Sequence, residues 1–168
     1  MRLFTFILTA SWLCLAEAKD NLPSARIVDY GIYLTNVTGT ASAADTTTGE
    51  ISLLSAPRLV RSTSTIPALP KSSFGLRYQL VGVSSGDAVA VTDVIITPGI
   101  KDPDSDEDPR FRESREDIAF GGRTNYTGYT FDSAWEAVPG TWTIEIWHKD
   151  SQLLSQEFRV VPAKPLRN

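Results

Sequence analysis

The chain predicts an all-β fold, an antiparallel β-sandwich, and three observations carry that prediction. Apolar and polar residues alternate in short runs along most of its length. No long stretch holds a convincing helical period. The segment from Tyr129 to Val161 reads as a strand, a proline–glycine corner and two alternating strands joined by a polar turn.

The first residues read as a sorting signal. Arg2 supplies a positive charge, Leu3 to Leu15 is apolar apart from isolated hydroxyls, and Ala16-Glu17-Ala18 is the small-x-small pattern of a cleavage site. The apolar run is too short for a stable membrane span. Cys14 raises the question of a lipid anchor, but Leu13 stands where a lipobox needs a small residue. The expectation is therefore a signal peptide over 1–18, a flexible stretch over 19–26, one domain over 27–161 and a flexible tail over 162–168. The mature chain of about 150 residues suits a single domain with a sizeable core. Its only cysteine lies in the signal, so packing rather than disulfides must hold it together. A net charge of −4 without a basic cluster argues against nucleic acid and anionic membranes as partners.

Val28, Tyr30, Ile32 and Leu34 alternate with Asp29, Gly31 and Tyr33, which predicts the first strand. Asn36 to Gly49 is rich in Thr, Ala and Gly and predicts a loop. Glu50 to Ser55 and Arg58 to Thr63 are short strands around Pro57, and the prolines of the following Ser64–Pro70 keep it out of a central strand. Phe74, Leu76, Tyr78 and Leu80 share one face of a half-buried strand. After the turn at Ser84–Asp87, Ala88 to Thr97 is more continuously apolar. That predicts a central strand covered on both faces, or a bulge that changes register.

Pro98 to Asn125 combines proline, glycine and charge, and predicts one long acidic loop excursion with a helical turn around Ser114 to Ile118. Strands resume at Tyr126 to Asp132. In the closing hairpin Trp142, Ile144 and Ile146 face inward, Thr143, Glu145 and Trp147 outward, and Phe158 and Val160 continue the inward row. Pro139-Gly140 sets a type II-like turn. Sandwiches of the immunoglobulin-like kind close in this way, with a tryptophan between the sheets.

Several phrases occur in order along the chain: Val28-Asp29-Tyr30-Gly31-Ile32-Tyr33, Thr65-Ile66-Pro67-Ala68, Phe74-Gly75-Leu76-Arg77-Tyr78, Val138-Pro139-Gly140-Thr141-Trp142 and a Phe158-Arg159-Val160 ending. Together they resemble the bacterial family of domain of unknown function 3859, over roughly Ile27 to Val161. The resemblance implies an exported immunoglobulin-like sandwich and carries no catalytic residue with it. The acidic insert at Asp102 to Asp108 departs from that pattern.

Several sets of residues are candidates for chemistry. Asp102, Asp104 and Asp106 alternate, and Glu113 stands where the twelfth residue of a calcium loop would be. Glu107 occupies the position of the turn glycine, and Pro103 and Pro109 stiffen the loop, so a solvated acidic tip competes with a calcium site. His148 is the only histidine, beside Asp150 and Ser151, with no GxSxG elbow and too few ligands for zinc. Trp135 at the corner and an outward Trp147 are candidates for stacking on a sugar or filling a partner's pocket. Tyr126 and Tyr129 suit a tyrosine-corner hydrogen bond. Glu136, Glu145, Glu50 and Glu157 are the strand-proximal glutamates that a glycosidase pair would draw on, and nothing in their spacing separates that from solvated faces. Asn36-Val37-Thr38 and Asn125-Tyr126-Thr127 are glycosylation sequons only for a chain secreted by a eukaryote. The expectation is a non-catalytic domain that binds another envelope or extracellular protein through a sheet edge or end loops. A carbohydrate-binding module and a hydrolase are the competing readings.

Overall fold

The computed structural model describes residues 23–42 and 50–163. The expected signal peptide, Cys14 and the end of the tail lie outside these residues. The chain order is β1 (Ser24–Ser42), β2 (Glu50–Ser62), β3 (Thr65–Ala68), β4 (Ser73–Val81), β5 (Ala88–Ile100), β6 (Arg110–Phe120), β7 (Asn125–Thr130), a 3-10 turn (Ala134–Glu136), β8 (Gly140–His148) and β9 (Ser151–Pro162). One sheet has the order β2-β1-β4-β7 and the other β3-β9-β8-β5-β6, and the two pack as a sandwich. Among the described residues no helix is long and apolar enough to cross a membrane.

The core forms where alternation places large apolar side chains on both inner faces. Phe74, Leu76 and Tyr78 on β4 meet Trp142, Ile144 and Ile146 on β8, with Phe131 and Phe158 between them. Trp142 is fully buried, in ring contact with Phe74, Tyr129 and Phe131, and its indole N–H donates to the Val138 carbonyl at 2.9 Å. That bond satisfies the one polar atom the ring brings inside, and truncating a side chain so placed costs about 3–5 kcal/mol. Gly140 closes the corner with φ +146°, and a Cβ there would meet the Pro98 ring at 2.7 Å.

Of the two sequence alternatives for β5, the bulge holds: its register with β6 shifts between Ile96 and Ile100. The strand lies between β8 and β6, but its outer face is not covered throughout, since Ala90 and Ile96 are exposed. Pro67 is tolerated because β3 is a four-residue edge strand, paired in parallel with β9.

Three expectations need correction. The stretch expected to be flexible before Ile27 already belongs to β1 from Ser24, paired with Gln79 to Val81. The loop expected from Asn36 is strand as far as Ser42: β1 continues past its last β4 partner, Ser73, as a two-stranded ribbon with β2. Small Thr, Ala and Gly residues are compatible with such a ribbon because its hydrogen bonds come from the neighbouring backbone. The largest correction concerns the excursion over 98–125. Most of it is sheet: β5 reaches Ile100, β6 spans Arg110–Phe120 antiparallel to it, and only 101–109 and the turn at 121–124 connect strands. Glu113 and Glu116, which a helical turn would bring to one side, point to opposite faces of β6.

Candidate functional site

The acidic tip is an exposed loop held by its own turns. Asp102 Oδ1 accepts the Asp104 N–H at 2.8 Å, and Ser105 Oγ accepts the Glu107 N–H at 3.1 Å. Glu113 does not join the three aspartates. It is buried on the inner face of β6, opposite Ile95, and its charge helps keep the Tyr129 phenol protonated after burial itself. Among the described residues no three carboxylate, cysteine or histidine side chains converge in a way that could hold a metal ion.

The other sequence candidates are also kept apart. Trp135 sits in the 3-10 turn, half-buried and packed against the core. Trp147 is outward and half-buried, and its N–H donates to Glu145 Oε2 at 2.8 Å. The length of β8 from Gly140 to Trp147, about 24 Å, separates it from the corner that carries Trp135. His148 Nδ1–H donates to the Ala90 carbonyl at 2.7 Å, a strand-end bond to backbone rather than to a serine or aspartate. Glu136 is buried at the corner, where it accepts from the Ser133 and Asp132 amides and the Tyr129 hydroxyl at 2.8, 3.3 and 3.2 Å. Burial raises its pKa against those bonds. The tyrosine-corner expectation thus takes a different form, with Tyr129 bonded to a carboxylate instead of backbone.

Two networks that the sequence did not point to are more developed. The first covers the outer face of the β2-β1-β4-β7 sheet. Gly31, Gly75 and Gly128 are register neighbours across β1, β4 and β7, forming a floor without side chains. The Tyr126 ring lies over it, since Cβ atoms on Gly75 and Gly128 would both collide with its hydroxyl. Tyr33 stacks edge-on against Tyr126, with ring centres 5.0 Å apart, and is 3% exposed although it faces outward. Beside them Asp29 takes a two-pronged bond from Arg77, with Nε at 2.8 Å from Oδ1, and a further bond from the Tyr33 hydroxyl. The Arg77 hydrogen bond holds the Asp29 carboxyl below its ordinary value, while burial first and then the Asp29 bond push the Tyr33 phenol up. At neutral pH both groups are locked in one protonation state, which suits a rigid plate rather than proton transfer.

The second network lies between the sheets on the side where β6 and β7 are both edges. Asp93 on β5 is 3% exposed and receives Arg115 Nη2 of β6 at 2.6 Å and Thr127 Oγ1 of β7 at 2.8 Å. One carboxylate therefore ties an edge strand of each sheet to the interior. Asp93 Oδ1 and Arg115 Nε are buried without a hydrogen-bond partner among the described residues. Burial outweighs Arg115 and raises the Asp93 pKa.

Beside this tie, β6 presents an open edge. Of the nine exposed large apolar side chains among the described residues, Phe111, Ile118 and Phe120 all belong to this one strand, which makes it the densest exposed apolar stretch described. Arg112 and Glu116 are exposed between them, and Arg123 lies over the Phe120 ring at 5.4 Å. No sequence signal marks this edge, because Glu113 and Arg115 on the inner row of β6 remove the apolar alternation that identifies a strand.

Two sheets of this order around an inter-sheet tryptophan define an immunoglobulin-like sandwich. An immunoglobulin-like protein from Pseudomonas aeruginosa has a similar solved structure, with 24% identity, a TM-score of 0.58, and coverage of 82% of this chain and 97% of its own. No curated protein matches the chain. The model of the family described as Domain of unknown function (DUF3859) matches residues 21–160, and the chain belongs to that family.

Proposed function

We propose that this protein is a non-catalytic binding domain of the cell envelope that engages another protein by strand addition at β6. The supporting observation is the edge itself: an eleven-residue strand, unpaired on one side, carrying Phe111, Ile118 and Phe120 in the open. A partner strand gains main-chain hydrogen bonds from such an edge, and alternate side chains supply specificity. The other edges fit the role less well, since β3 is short and contains Pro67, β7 is short and glycine-interrupted, and β2 is interrupted by Pro57. The export in this proposal, to the periplasm or beyond, is supported by the leader-like first residues.

The test is a photo-crosslinking residue at Ile118, compared with one at Val60 on the edge strand of the other sheet, in cells that export the protein. Adducts from position 118 and none from position 60 are expected. Adducts from neither position, or from 60 alone, overturn the reading.

A further inference from the structure

We infer that the occupant of the β6 edge is the β6 edge of a second copy, paired antiparallel about a two-fold axis through Ser114. The inference rests on β6 being the binding edge and names its partner. A two-fold axis normal to the sheet passes through one residue and keeps outer faces with outer faces, so each choice of central residue fixes one register. With Ser114 at the centre, Arg112 lies opposite Glu116 of the second copy, both on the exposed face. On the inner face Glu113 lies opposite Arg115 of the second copy. By symmetry each opposition occurs twice, and no like charges meet.

Neighbouring registers fail on charge. Centring on Arg112, Glu113, Arg115, Glu116 or Asp117 sets that residue against its own copy, and centring on Arg115 also opposes Glu113 to Asp117. Like charges directly opposite destabilise a strand pair. The alternation of sign along β6 is therefore self-complementary in one register and repulsive in those beside it. Over residues 57–62, β2 offers no such match, because Arg58 and Arg61 are the charges there and have the same sign.

A second observation agrees. Arg115 Nε is buried and has no hydrogen-bond partner among the described residues, while Asp93 on β5 already accepts from Nη2. In the Ser114-centred register Glu113 of the second copy approaches Arg115 from the opposite side to Asp93. Asp117 already stands 3.8 Å from Nη2, so Glu113 of the second copy adds a third carboxylate beside the guanidinium, on the side facing the axis, and the five-stranded sheet continues across it.

Cysteine pairing reads the register. In a Cys14→Ser background, Ser114→Cys should give a disulfide-linked dimer on mild oxidation. Opposed residues of an antiparallel pair are about 4.5–5.5 Å apart at Cα, within disulfide reach. Arg112→Cys alone should not link, because its two copies lie about 13 Å apart in this register. In sedimentation, Glu116→Arg should weaken the dimer about tenfold or more, and Arg112→Glu with Glu116→Arg should restore it. The inference is overturned by a Ser114→Cys protein that stays monomeric, or by Arg112→Cys linking as readily. A monomer whose position 118 still crosslinks to a different envelope protein sinks the homotypic pairing and leaves the binding reading standing. A monomer with no adduct at all sinks both.

Discussion

Two of the aspartate–arginine pairs among the described residues do opposite work. Asp29–Arg77 lies on the outer face of one sheet, with side chains 18% and 35% exposed, and its carboxyl is held below the ordinary value. Asp93–Arg115 lies between the sheets, with the carboxylate 3% exposed, and its carboxyl is raised despite the arginine. The difference is desolvation. Water still reaches the outer pair, so hydrogen bonding from the guanidinium wins, whereas the interior pair loses more hydration than one neighbour returns. The outer pair stabilises a plate, and the inner pair fastens an edge at a cost. A fold keeps a costly tie where strand pairing is missing, which is the side where β6 and β7 both end their sheets.

The largest expected effect comes from breaking the inner pair on one side. Arg115→Met leaves Asp93 buried and uncompensated, and should lose about 3–5 kcal/mol in urea unfolding. Adding Asp93→Asn to that variant should recover most of the loss, because neutral groups of similar size carry no desolvation penalty. A double variant as unstable as the single one would show that the charge pair itself, rather than the stranded carboxylate, sets the cost.

The outer pair should respond less. Asp29→Asn is expected to cost about 1–2 kcal/mol at neutral pH, as a lost charge-assisted hydrogen bond does. The pH dependence separates the pairs by sign. Asp29 titrates below its ordinary 3.8, so its contribution is present above that value and is lost as pH falls through the lowered one. Asp93 titrates above 3.8, so ionising it costs stability as pH rises through the raised value, and acidification regains it. In stability-against-pH curves, Asp29→Asn should flatten the acid-side rise, and Asp93→Asn should flatten a fall at higher pH. Parallel curves for both variants would contradict the contrast.

How much of this was legible in the sequence follows the same division. The inner rows of β4 and β8 are uniformly apolar, so Phe74, Leu76, Trp142 and Ile144 announced both the strands and the side they bury. β6 was hidden because its inner row is Glu113, Arg115 and Asp117, and a charged inner face removes the alternation that marks a strand. The glycine floor was invisible for a different reason. Gly31, Gly75 and Gly128 each look like an isolated weak point, and only the register of three strands aligns them. Asp29 and Arg77 are 48 residues apart, so no local motif joins them, although both stand in phrases that carried the family resemblance. The candidate tryptophans and histidine were assigned to the right strands and corner, but their partners, a glutamate and a backbone carbonyl, depend on neighbouring strands.

The account turns on β6 being the working edge, and amide hydrogen exchange measures that directly. Exchange would be followed in dilute protein, in concentrated protein, and in envelope extract of cells that export it. The edge-facing amides of Arg110–Phe120 should slow in at least one of the two loaded conditions, while those of β2 and β7 keep their dilute rates. Unchanged exchange along β6 in both, or protection that appears on β2 or β7 instead, would contradict it.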